Sequence, residues 1–233
     1  MLARVWLNVD LGELPDEPEE LYACAHVANV ACGGHAGDDS SMRRAIALCA
    51  AHGAALGAHP SYPDRDAFGR RRLAMAPDDL RRSLGEQCAR LGALAREAGA
   101  AVAFVKPHGA LYHDGRDDDA TAEAIVLGAR QALGAVTIVG PARGALVKAA
   151  ARATLAFARE GFADRAARED GSLVPRGEPG ALLLDPSAAA DRAATLAAGG
   201  DVDTICVHGD TPGAVAIARA VRGALDLLAG AGR

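Results

Sequence analysis

Aromatic residues make up 3% of the 233-residue chain, and only two of its 25 basic residues are lysine. Basic residues do not exceed the 30 acidic ones, and the net charge is −5. A basic surplus of the kind that binds nucleic acid is therefore missing. No uninterrupted apolar run approaches the roughly 18 residues of a membrane span. The opening MLARVWLNVDLGE meets Asp10 and Glu13 too early for a secretory signal. The expectation is a cytoplasmic protein without nucleic-acid or membrane partners. Cysteines are few: Cys24, Cys32, Cys49, Cys88 and Cys206 are odd in number and show no CxxC spacing. That excludes a disulfide framework and a structural zinc site, and leaves buried, reduced thiols. What the chain has in quantity is alanine, 56 residues of it, within an apolar fraction of 50%. Such content, with little charge asymmetry, argues against disorder.

Two textures alternate along the sequence. Short apolar runs of strand length occupy Val5–Val9, Val27–Ala31, Ala54–Ala58, Ala101–Val105, Val136–Val139, Thr154–Ala158, Ala181–Leu184 and Thr204–Val207. Several read as continuous β-branched or Ala/Leu runs, as strands buried on both faces do. Between them lie helical segments at Asp39–His52, Pro77–Ala98, Asp118–Leu133, Arg143–Ala151, Pro186–Ala198 and Pro212–Leu228. Pro77, Pro186 and Pro212 stand where a first turn tolerates proline, and Gly53, Gly99 and Gly134 follow helices as caps. Strand–helix alternation without a linker predicts an α/β protein with a parallel sheet. Seven or eight such units favour one β/α-barrel domain over residues 1–233. Ala181–Leu184 reads either as a barrel strand or as a hairpin arm.

Four of the seven histidines, His35, His59, His108 and His208, directly follow apolar runs. Acidic residues hold equivalent places: Asp10 and Glu13, Glu160 and Asp164, and Asp210. In parallel α/β folds these are carboxyl ends of strands, where active sites are built. Any one such histidine reads as a hydrogen-bonded structural residue; four with carboxylates at one topological position read as a site. His26, His52 and His113 lie in or beside helices or in a loop and read as structural. Lys106, retained at the end of a strand in a chain that otherwise uses arginine, suggests a need for a compact ammonium. The irregular stretch from His59 to Asp79 carries Arg70 and Arg71, either of which suits bidentate carboxylate binding. Imidazoles and carboxylates at one mouth fit a divalent metal or acid–base work on a carbonyl, with a lysine to neutralise an oxyanion. No Gly-x-Ser-x-Gly elbow, Walker loop or GxGxxG after a strand is present.

The pieces LNVDLGE (Leu7–Glu13), ANVACGGHAGD (Ala28–Asp38), LGAHPSYPD (Leu56–Asp64), FGRR (Phe68–Arg71), VKPHGALY (Val105–Tyr112), REGFADR (Arg159–Arg165), LVPR (Leu173–Arg176) and CVHGDTPGA (Cys206–Ala214) occur in this order. The sequence thereby resembles the A-subunit family of the bacterial 5-oxoprolinases, also called LamB/YcsF. The resemblance implies a distorted, seven-stranded β/α barrel of the glycoside hydrolase/deacetylase type. It implies ATP-dependent opening of the 5-oxoproline lactam to L-glutamate, with Mg²⁺ accompanying ATP or a metal in the site, together with partner subunits B and C. Asp10, His59, Lys106, His108, Glu160 and His208 are the implied catalytic set. His35, Arg70, Arg71, Asp164, Arg165 and Asp210 are the implied substrate-binding set, and Asp10, His35 and His59 a metal-capable corner. Three departures stand out: LPDEPEE at Leu14–Glu20 in place of glycine and aromatics, Gly34 in place of an aromatic, and a shorter Ala198–Asp203 segment. The competing readings are a stand-alone metal-dependent deacetylase or amidase and a non-catalytic 5-oxoproline-binding subunit.

Overall fold

In the computed structural model, residues 5–168 and 173–231 are described; the outermost residues of the expected 1–233 domain lie outside these. Seven parallel strands close into a barrel in sequence order. They are β1 (Trp6–Leu11), β2 (Val27–Ala31), β3 (Ala55–His59), β4 (Val102–Val105), β5 (Thr137–Pro141), β6 (Ala156–Phe162) and β7 (Thr204–His208). Around them run α1 (Glu19–Cys24), α2 (Asp39–His52), α3 (Pro77–Glu97), α4 (Gly109–Asp117), α5 (Asp119–Leu133), α6 (Ala145–Arg152), α7 (Pro186–Gly199) and α8 (Ala214–Ala231). Closure between β1 and β7 spans five register pairs, Trp6↔Thr204 to Asp10↔His208. The β4–β5 seam spans two, Phe104↔Thr137 and Val105↔Ile138. No helix among the described residues is long and apolar enough to cross a membrane.

Local chemistry sets the helix ends. Asp38 accepts from Ser41 N in a capping box at the start of α2, and Gly53 takes the left-handed conformation at its end. Asp118 and Asp185 cap α5 and α7. Small residues let the outer layer close up: a Cβ on Gly128 of α5 would stand 2.8 Å from Arg81 O of α3. All five cysteines are free and buried.

The structure resolves the open reading of Ala181–Leu184. It is not a barrel strand, and Leu182 forms an isolated antiparallel bridge with Arg165. The sixth strand starts two residues later than Thr154 and runs on to Phe162, so Glu160 sits within β6 rather than after it. A charged residue inside a strand breaks the apolar pattern, and here its partner is the ammonium of Lys106 across the barrel. Helices α1 and α4 lack a sequence signal long enough to announce them. His113, read as a loop residue, belongs to α4.

Candidate functional site

The two-residue period of β1 puts Leu7, Val9 and Leu11 into the apolar core and leaves Asn8 and Asp10 for the barrel interior. There they meet Lys106, which follows β4. Its Nζ donates to Asp10 Oδ1 at 2.9 Å, Asp10 Oδ2 at 3.0 Å, Asn8 Oδ1 at 3.2 Å and Cys206 Sγ at 3.0 Å. It also pairs with Glu160 Oε1 at 2.8 Å. That contact is an ion pair without hydrogen-bond alignment; neither Glu160 oxygen, nor the Tyr112 hydroxyl buried beside it, has an aligned partner among the described residues. Asn29 Nδ2 donates to Asp10 Oδ1 at 2.9 Å. All these groups are buried. Burial works against the Asp10 carboxylate, but the charges of His59 and Lys106 hold it ionised well below the usual carboxylate range. Burial likewise opposes the Lys106 ammonium, and the carboxylate of Asp10 overrides it.

Above this pair stands a histidine cluster. His59 Nδ1 lies 2.7 Å from Lys106 O, and His108 Nε2 lies 2.9 Å from Phe68 O. A carbonyl only accepts, so each of these nitrogens carries a hydrogen. That leaves His59 Nε2 and His108 Nδ1 facing each other at 3.0 Å. His59 Nε2 is also 3.3 Å from Asp10 Oδ2. Glu13 Oε1 is 2.9 Å from His35 Nε2, 3.2 Å from His108 Nδ1 and 3.7 Å from His59 Nε2. Burial pushes His35 down to about 3 and lowers His108, so both rings are neutral at physiological pH. For His59 the burial effect is outweighed by the Asp10 charge, and its affinity for a proton rises.

The third group comes from β6, β7 and the loops after them. Asp164 accepts from His208 N at 3.0 Å and Thr211 Oγ1 at 2.7 Å, and lies 3.0 Å from His208 Nδ1. Despite burial, these partners hold Asp164 down at about 2. The imidazole is thus oriented with Nε2 toward the cavity and 3.9 Å from Asp10 Oδ2. Asp210 receives both Arg70 and Arg176, the latter at 2.9 Å. Arg165 is 6% exposed, donates from Nη2 to Val174 O at 2.7 Å, and has no partner for Nε among the described residues. A cavity of about 510 Å³ is lined by Asp10, His59, Lys106, His108, Arg165 and His208.

Of the residues singled out in the sequence, the structure brings Asp10, His59, Lys106, His108, Glu160 and His208 together. Asp164 reaches the cavity through His208, and Asp210 through Arg70 and Arg176. Arg71 is not brought in: it pairs with Asp64 at 3.0 Å and is 65% exposed, whereas Arg72 lines the cavity. The corner of Asp10, His35 and His59 is drawn differently, because His35 reaches Glu13 and Asp10 is engaged by Lys106. Glu13, legible in the sequence only as one acidic group after the first run, is the hub of the cluster. His113 and Tyr112 also line the cavity, placed there by a helix the sequence did not announce.

Comparison with known proteins agrees with this geometry. The chain is 44% identical to the 5-oxoprolinase A subunit of Methylococcus capsulatus, covering 95% of this chain and 92% of that one. It is 46% identical to the 5-oxoprolinase A subunit of Streptomyces griseus, covering 94% and 95%. The crystal structure of a lactam utilization protein from Thermus thermophilus superposes with a TM-score of 0.89 at 34% identity, covering 97% of both chains. The sequence profile of the LamB/YcsF family matches residues 5–229. With its closed seven-stranded barrel and its relatives matched along nearly their whole length, this chain belongs to the LamB/YcsF family.

Proposed function

We propose that the protein is the A component of an ATP-dependent 5-oxoprolinase, opening the 5-oxoproline lactam to L-glutamate with subunits B and C. The observation that carries this reading is the cavity itself. A buried arginine whose Nε has no partner among the described residues, Arg165, shares it with the Lys106–Asp10 pair and with the imidazoles of His59, His108 and His208. The relatives named as 5-oxoprolinase A subunits supply the substrate.

A buried, under-partnered guanidinium suits an anion, here the substrate carboxylate or a phosphoryl group. A five-membered lactam is a poor electrophile. Transfer of the ATP γ-phosphoryl group to the lactam oxygen releases ADP and leaves an imidate-like carbon that water attacks. The attacking water gives up a proton to His59 or His108. Collapse breaks the C–N bond, the ring nitrogen takes up a proton, and an acyl phosphate remains. A second water releases phosphate and gives glutamate. Lys106 and Arg165 counter the negative charge that builds on oxygen. His208, held by Asp164, is placed to give the leaving nitrogen its proton.

The test is release of ADP and glutamate from 5-oxoproline by the chain with subunits B and C. Both products in equal amounts support the reading. Amide or N-acetyl hydrolysis by the chain alone, without ATP, overturns it in favour of a stand-alone hydrolase. In the complete assembly, His108→Ala is expected to lose about 10²–10⁴-fold in kcat while keeping its fold by circular dichroism.

A further inference from the structure

The geometry points to a site for one Zn²⁺-class ion, formed by His59 Nε2, His108 Nδ1 and Glu13 Oε1, with His35 orienting the carboxylate. The carbonyls of Lys106 and Phe68 fix both tautomers from behind. In their neutral forms the two rings therefore turn lone pairs toward each other across 3.0 Å. Two lone pairs so close repel unless a proton, which Asp10 Oδ2 at 3.3 Å from His59 Nε2 favours, or a cation lies between them; the cation is the occupant that also engages Glu13 Oε1. Backbone carbonyls behind imidazoles are the arrangement that orients histidine ligands in metal sites. The third donor, Glu13 Oε1, stands 3.2 Å from one nitrogen and 3.7 Å from the other. These separations approximate the roughly 3.4 Å between donors that each lie about 2.1 Å from a tetrahedral zinc ion.

His35 is not a third imidazole ligand. Its ring lies parallel to that of His108, 3.6 Å between centroids and 3° between planes, so their lone pairs run side by side rather than meeting. Neutral His35 instead donates from Nε2 to Glu13 at 2.9 Å, aiming the carboxylate. Two imidazoles and one carboxylate leave a coordination position open for water, as in catalytic zinc sites; with the ion bound, His59 Nε2 and His108 Nδ1 are its ligands, and the ion takes over from an imidazole base the activation of that water. The donor set favours Zn²⁺ and Co²⁺ over Mg²⁺, which takes oxygen ligands. The cluster also forms the partition between the cavity described above and a second one of about 480 Å³, lined by Glu13, His35 and Phe68. Asp10, Cys206 and His208 make a second convergent group, but Lys106 Nζ already contacts both Asp10 and Cys206, so an ammonium fills that place.

The experiment is titration of chelator-treated protein with Co²⁺, read by visible ligand-field absorption, calorimetric stoichiometry and thermal melting. One Co²⁺ per chain is expected, displaced by Zn²⁺ and unaffected by millimolar Mg²⁺. Glu13→Gln, nearly isosteric, and His108→Ala should abolish binding, His35→Gln should weaken it about 10–100-fold, and Cys206→Ala should leave it unchanged. Absence of Co²⁺ bands in the parent protein, or binding retained by Glu13→Gln and His108→Ala, overturns the assignment. The site does not depend on the lactam reading: an ion bound by a protein that releases no glutamate would keep the one and remove the other.

Discussion

At the residue scale, the interior of the barrel is governed by a single ammonium. Lys106 lies against the carboxylates of Asp10 and Glu160 with 2% of its side chain exposed. Lys106→Ala leaves two buried carboxylates without their cation and is expected to cost about 3–5 kcal/mol in denaturant unfolding. Asp164 supplies a pH dependence. Its pKa is about 2 in the fold, against an ordinary value of 3.8. The unfolded chain takes up that proton first, so the stabilisation is complete above about pH 4 and is lost as pH falls through 2. Asp164→Asn should therefore be less stable than the parent by about 2 kcal/mol at pH 7, the gap closing near pH 2. Gly34 is explained by its neighbours. A Cβ there would stand 2.4 Å from both Gln87 Oε1 and Ser61 Oγ. Gln87 fills the space an aromatic would take, bonding Ser61 N and O at 3.0 and 2.9 Å. Gly34→Phe alone should destabilise by about 1–3 kcal/mol. The same change combined with Gln87→Ala should recover part of that loss in a double-mutant cycle.

At the element scale, the site depends on how one turn meets one helix. Phe68 adopts φ +54, unusual for a bulky residue, and its carbonyl receives His108 Nε2. Gly109, the first residue of α4, has φ +57, and a Cβ on it would stand 2.5 Å from Gly69 O. Gly109→Ala is thus expected to push α4 off the turn and loosen the His108 tautomer. Its loss of kcat in the assembled system should exceed what a stability cost of about 1–3 kcal/mol accounts for. None of this was legible from spacing alone. The sequence shows histidines following strands, because a strand end is a local apolar boundary. It does not show that His35 stacks on His108, nor that Glu13 joins them, because those contacts depend on loop conformations set by residues far along the chain. The shift of β6 has the same origin: Glu160 breaks the apolar run locally, and Lys106, just past the end of β4, makes its burial tolerable. Arg71 and Arg72 are adjacent and chemically alike, and turn geometry alone sends the second, not the first, to the cavity.

At the scale of the whole molecule, alternation of apolar runs and capped helices was enough to read a parallel barrel, since each βα unit announces itself locally. The number of strands depended on Ala181–Leu184, whose short apolar run fits a strand and a bridge equally well. The barrel wall is uneven. Five register pairs join β1 to β7, but two join β4 to β5. Native-state amide exchange should report this directly, with Phe104, Val105 and Ile138 exchanging before Val9, Cys206 and Val207. A uniform protection pattern around the wall would contradict it. Lys106 and His108 lie immediately beyond that thin seam, so brief separation of its strands would shift the ammonium away from Asp10 and the imidazole away from His59. The buried ammonium and its imidazole neighbour thus hang from the seam of the wall joined by the fewest register pairs, and whatever stiffens or loosens the β4–β5 flank bears first on that corner.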